Sequence, residues 1–143
     1  MSTAQDWSDF RRPKAYPVTT GLLLAATGLV VWTGLSAWGG LASPEEYRLR
    51  EAWDTQAYFA LGLPLMAIAV AMASFYIPER IWRWPLWLVS GHQLGVLLVG
   101  VGMQSGLSLL LLALIIGMLL AVIFAAPALA GSLLARRVVE RGY

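Results

Sequence analysis

The sequence predicts an all-α fold, an integral membrane four-helix bundle, and its charge distribution and hydropathy carry that expectation. Ten basic and eight acidic residues are almost all excluded from four long apolar stretches, about 16–42, 55–77, 84–103 and 107–135. Each reaches or exceeds the roughly twenty residues a helix needs to cross a bilayer. With 59% hydrophobic residues and a mean hydropathy of +0.69, the 143 residues make a single transmembrane domain and leave no room for a soluble one among them.

Ahead of the first span, Trp7 and Phe10 adjoin Arg11, Arg12 and Lys14, a pairing that suits the lipid headgroups. Pro13 and Pro17 interrupt any helix entering from the terminus, so the first span begins near Tyr16. Gly40-Leu41-Ala42 resembles a signal-cleavage site. The apolar region before it is much longer than the roughly 7 to 15 residues of a signal core, so it reads as a retained anchor.

The second helix is expected to begin outside the membrane. Ser43-Pro44-Glu45-Glu46 joins an N-cap serine, a proline at the first helical position and a glutamate three residues after the cap. From there an extended helix is expected to run through Tyr47, Leu49, Trp53 and Tyr58 at the outer interface and on into the membrane, loosened by Pro64. Residues 78–85 are bounded by two prolines, a short turn expected to make the second and third helices antiparallel neighbours. Trp53, Trp82, Trp84 and Trp87 are expected as interfacial anchors. Gln104-Ser105-Gly106 is a bare hairpin between the third and fourth helices.

Orientation follows from the basic residues. Arg11, Arg12 and Lys14, then Arg80 and Arg83, then Arg136, Arg137 and Arg141 lie on one side; the other has Arg48 and Arg50, offset by Glu45, Glu46, Glu51 and Asp54. Both termini are therefore expected in the cytoplasm, at a bacterial inner membrane. The dispersed cations form no face for nucleic acid. Having no cysteine, the chain has no disulfide and no thiol relay.

Small residues supply a packing code. Ala60, Pro64, Ala67, Ala71 and Ser74 recur at steps of four and three in the second span; Ala113, Gly117, Ala121 and Ala125 recur every four residues in the fourth; Gly91 and Gly95 form a GxxxG in the third. Lipid gives little hydrophobic drive between helices, so close backbone approach has to hold such a bundle together. The seams serve packing within the monomer, or pairing in a homo-oligomer or larger membrane complex.

No Asp, Glu, Lys or Arg falls within the core of a span, which argues against proton-driven transport. The polar exception is Gly91-His92-Gln93-Leu94-Gly95. Counting from Trp84, His92 lies about 12 Å inside the cytoplasmic boundary, near the bilayer centre. His92 and Gln93 project about 100° apart and must find partners on different helices. Thr27 on the first span lies at similar depth, and Gln104 nearly eclipses Gln93 on the third helix.

Several chemistries compete for this site. As a haem ligand, His92 has no second histidine, and Met103 stands about 16 Å further along the same helix. As a hydrolase dyad, Ser90 and His92 point to opposed sides of their helix. A quinone or small-ligand site would use His92 and Gln93 as hydrogen-bonding groups. An interhelical clamp needs nothing else, each bond contributing about 0.6 kcal/mol and up to about 2. No catalytic residue, metal or cofactor is expected.

The segments Gly62-Leu63-Pro64-Leu65, 78–84 and Gly91-His92-Gln93 together resemble a pattern in small, uncharacterised four-span bacterial inner-membrane proteins. That resemblance covers about a third of the chain and implies no activity. The expectation is a non-enzymatic structural, accessory or assembly component that works through helix packing. The alternative is a small-solute facilitator or quinone-binding module centred on His92 and Gln93.

Overall fold

A computed structural model describes the backbone over residues 17–41, 52, 55–102 and 107–141, and side chains over 17–38, 52, 55–99 and 111–140. These residues form four helices: α1, Pro17–Leu41; α2, Leu63–Tyr76, led in by a π-helical turn at Tyr58–Gly62; α3, Arg83–Gly102; and α4, Leu107–Arg141. Pro17 opens α1, where a missing N–H costs nothing and the fixed φ already suits a helix. Three helical stretches are long and apolar enough to cross a membrane, Pro17–Trp38, Tyr58–Tyr76 and Leu111–Glu140. Helix α4 continues beyond Ala135, so Arg136 and Arg137 stand on helix.

The start of the second helix differs from expectation. The Thr55 hydroxyl donates to the Ala52 carbonyl at 2.6 Å and accepts from the Tyr58 backbone N–H at 3.3 Å, an N-cap arrangement. A new helix therefore begins after Thr55, which itself stands outside it. Residues 43–51 and Trp53 lie outside the described residues. The first turn is wide because Pro64 follows: proline cannot donate to the carbonyl four residues back and its ring crowds that carbonyl. The Leu63 N–H reaches back to the Tyr58 carbonyl, closing a π turn ahead of the proline.

Around the bundle the order is α1, α3, α4, α2, with a slimmer contact closing α2 onto α1. Helices α2 and α3, consecutive in the chain, touch each other about as lightly as α2 touches α1, while the broadest contact joins α1 to α3. Glycine decides this. A Cβ on Gly91 would collide with the Ala25 carbonyl, and one on Gly28 with the Leu88 carbonyl. Only bare backbone allows α1 and α3 this approach. Gly21 packs on Trp87, Ala25 on Gly91 and Trp32 on Gly95, so the two helices run parallel.

The small-residue seams are used in part. On α4 the buried face is Ala113, Gly117, Leu120, Phe124, Ala128 and Gly131, while Ala121 and Ala125 are half-buried. A strict four-residue step drifts about 40° per repeat, which rotates the later alanines off the face. On α2 the enclosed stripe is Met66, Val70, Ala73 and Ser74. Ala60 and Pro64 are exposed, and Ala67 and Ala71 are half-buried. The Ala71 carbonyl sits where a Cβ on Gly131 would be, so the edge of that seam meets α4.

The turn between α2 and α3 carries its own ties. Arg80 takes a left-handed backbone, φ 53°, and its carbonyl accepts from the Arg83 N–H at 3.0 Å. The Trp84 indole N–H donates to the Ile77 carbonyl at 3.0 Å, satisfying the end of α2 from the start of α3. Trp84 is accordingly buried, contrary to its expected place as an interfacial anchor. Trp82 is exposed, and Trp87 is half-buried with its ring over Gly21.

Candidate functional site

His92 is fully enclosed, with 0% of its surface exposed. It occupies the buried face of α3 because Gly91 and Gly95 on either side draw α1 against that face. The Tyr58 hydroxyl lies 2.8 Å from His92 Nε2. Trp32 of α1 meets the imidazole edge-on, with ring centroids 4.8 Å apart, and meets Tyr58 edge-on at 5.7 Å. Three elements thus converge: α1 contributes Trp32, the π turn Tyr58, and α3 His92. The wide turn that accommodates Pro64 also sets the direction in which Tyr58 leaves its helix, so backbone irregularity and site coincide.

A neutral imidazole offers one donor and one acceptor, and Tyr58 uses only one of them. Nδ1 of His92 is buried and finds no partner among the described residues. Gln93, the next residue, turns toward α4. A Cβ on Gly117 would lie 2.5 Å from Gln93 Nε2, so the missing side chain at 117 seats the amide. Both polar atoms of that amide are buried without a hydrogen-bond partner among the described residues. Ser36 Oγ and Ser74 Oγ are likewise buried and unbonded among the described residues.

The other residues singled out from the sequence do not join this cluster. The Thr27 hydroxyl donates to the Leu23 carbonyl of its own helix at 2.8 Å, so it is not a partner of His92. Ser90 does the same with Leu86 at 2.7 Å. Gln104 lies outside the described residues. Tyr58 was missed because an aromatic residue at the head of a span usually marks a headgroup boundary, and Trp32, in the middle of α1, because nothing in an apolar run says which neighbour a ring will face. The available signal was that an enclosed imidazole needs a partner, and that Tyr58 precedes a glycine-proline kink pointing at the same depth.

Chemically the arrangement is a hydrogen-bonded aromatic cluster. Its Nε2 is engaged by Tyr58, and its two remaining polar surfaces, Nδ1 and the Gln93 amide, project to different sides of α3. No family model, curated protein or solved structure matches this chain.

Proposed function

We propose that the chain is a four-span bundle of the bacterial inner membrane, with both termini cytoplasmic, acting as a structural or accessory component through helix packing. The observation that carries the reading is the inversion of the molecule: its close contacts are backbone to backbone, and its exterior is oil. Leu111, Leu114, Ile115, Met118, Leu119, Val122 and Ile123 are each more than half exposed on α4, and Phe59, Leu61, Leu65, Ile68 and Met72 on the π turn and α2. Patches of that extent on a water-soluble monomer are rare, whereas acyl chains cover them without cost. The clamp among Trp32, Tyr58 and His92 fits this role, since it spends the polar groups on holding three elements in register. Cross-linking and native mass spectrometry of the chain extracted from its own membrane test it. Recovery with a second membrane protein chain is the expected result, and a strictly solitary monomer in lipid overturns it.

The unpaired Gln93 amide supports a second reading, a small-solute facilitator or small-ligand module centred on His92 and Gln93. A buried amide with no bond costs stability and is retained where something else uses it. Liposome flux or quinone binding that persists unchanged in a His92→Ala, Gln93→Ala double variant removes that reading.

A further inference from the structure

We infer that the outer face of α3 binds one phospholipid with an anionic headgroup, held by Arg83 at the mouth of an apolar stripe. The inference rests on the reading of α3 as a membrane span, and its test keeps the two apart. Trp82, Arg83, Leu86, Trp87 and Ser90 line an open groove of about 230 Å³. Arg83 is half-buried at one end of it, and the exposed Arg80 stands in the same turn. The turn's one carboxylate, Glu79, is exposed, and neither guanidinium forms an ion pair among the described residues. Two cations against one anion leave a net positive charge at the groove's end.

The rest of the groove is apolar. Ser90 donates its hydroxyl proton to the Leu86 carbonyl, so it has no donor left for a ligand. Trp87 is held from behind by Gly21 of α1, where a Cβ would lie 2.6 Å from its ring, so this wall is fixed. Trp82, 63% exposed, is free to lie along a ligand. Leu86 in the groove wall and Leu94 and Leu98 further along α3 are exposed, and with Ser90 they step every four residues, winding about 40° around the helix at each step. From Leu86 to Leu98 that stripe is about 18 Å long, close to the depth of one leaflet of a bilayer about 30 Å thick.

A charge at one end and a hydrocarbon track of leaflet length below it describe a ligand with a phosphate head and an acyl tail. A free phosphate would use the arginine and leave the track uncovered. An anionic headgroup gains from both guanidinia, where a zwitterionic one carries its own cation into the same field.

The test is native mass spectrometry of the full chain in detergent, with phosphatidylglycerol and phosphatidylcholine of identical acyl chains supplied in equal amounts. The expected result is at least a fivefold preference for phosphatidylglycerol, falling to near parity in Arg83→Gln and unchanged in the control Arg136→Gln, Arg137→Gln. Leu94→Gln is expected to weaken retention of both lipids, and glycerophosphoglycerol, the headgroup without tails, to displace neither. If Arg83→Gln does not fold, Leu94→Gln and the headgroup competition decide the matter. Parity in the wild type, preference surviving in folded Arg83→Gln, loss in the control, retention undiminished in Leu94→Gln, or displacement by the headgroup alone each overturns the proposal. Resistance of the wild-type chain to alkaline carbonate extraction reads the membrane span separately: release by carbonate sinks the span, while lost preference in a carbonate-resistant chain sinks only the lipid site.

Discussion

Tyr58 and His92, 34 residues apart in the chain, meet through a 2.8 Å hydrogen bond in the buried centre of the bundle. The bond joins the π turn to α3, two elements whose helices otherwise touch little. With the Trp84–Ile77 bond it ties the two helices near both ends of α2. In a double-mutant cycle of Tyr58→Phe and His92→Leu, the coupling is expected at about 0.6 kcal/mol and no more than about 2. Steric-trap unfolding in lipid micelles measures it, and additive losses would mean that the bond contributes nothing.

Gly91 and Gly34 should respond in opposite directions to the same substitution. Gly91→Ala drives a methyl into the Ala25 carbonyl, which neither backbone can yield, and overpacking of this kind costs about 1–3 kcal/mol. Gly34 has open space around it, and Gly34→Ala gains up to about 1 kcal/mol of helix propensity. Thermal unfolding of both variants in detergent checks the sign. Equal losses at the two positions would show that α1 does not lie on α3 through Gly91.

Gln93→Leu separates the two functional readings. The amide has no bond to lose among the described residues, so replacing it with an apolar side chain of similar length is expected to leave stability unchanged or raise it by about 1 kcal/mol. A purely structural protein keeps its membrane partner after this change. Loss of solute flux with intact folding would move the balance to the small-ligand module.

Trp84→Phe should free the end of α2. The variant keeps the ring but removes the donor to the Ile77 carbonyl, at an expected cost of about 1 kcal/mol. Hydrogen exchange should quicken at the Ile77 amide, which bonds to the Ala73 carbonyl in the last turn of α2, while protection in the middle of α3 is kept. Unaltered exchange at Ile77 would show the indole to be dispensable.

Arg80→Gly tests the left-handed residue in the turn. Outside glycine this conformation costs about 1 kcal/mol or more, so the variant is expected to be more stable by up to about 1 kcal/mol. A lower melting temperature would indicate that the arginine side chain supports the turn in a way that outweighs its backbone.

The helices were legible in the sequence because apolar run length alone marks them, and His92 was legible because a lone imidazole in an apolar run must find a partner. What the residues did not reveal was which helix supplies it. Ser43-Pro44-Glu45-Glu46 is a stronger cap pattern by composition than Thr55 alone, so the break at Thr55 was not legible and Tyr58 was assigned to an interface. The broad pairing of α1 with α3 was not legible for a related reason. A short connection fixes where two helices join, as Trp84 and Ile77 do, but lateral packing is decided by where backbones can touch, and those glycines lie on α1 and α3. The four-residue spacing on α4 misled in turn, since helical pitch carries Ala121 and Ala125 away while Leu120 and Phe124 fill the face.

The parallel pairing of α1 with α3 also bears on how the molecule is assembled. During synthesis α1 emerges first, yet the surface that fits its Gly21 and Gly28 does not exist until α2 and the turn after it have been made. Until then this glycine-lined flank lacks its partner, and α2 offers it only a slim substitute. The order of manufacture is therefore not the order of docking: α1 meets its broadest contact only once α3 is made.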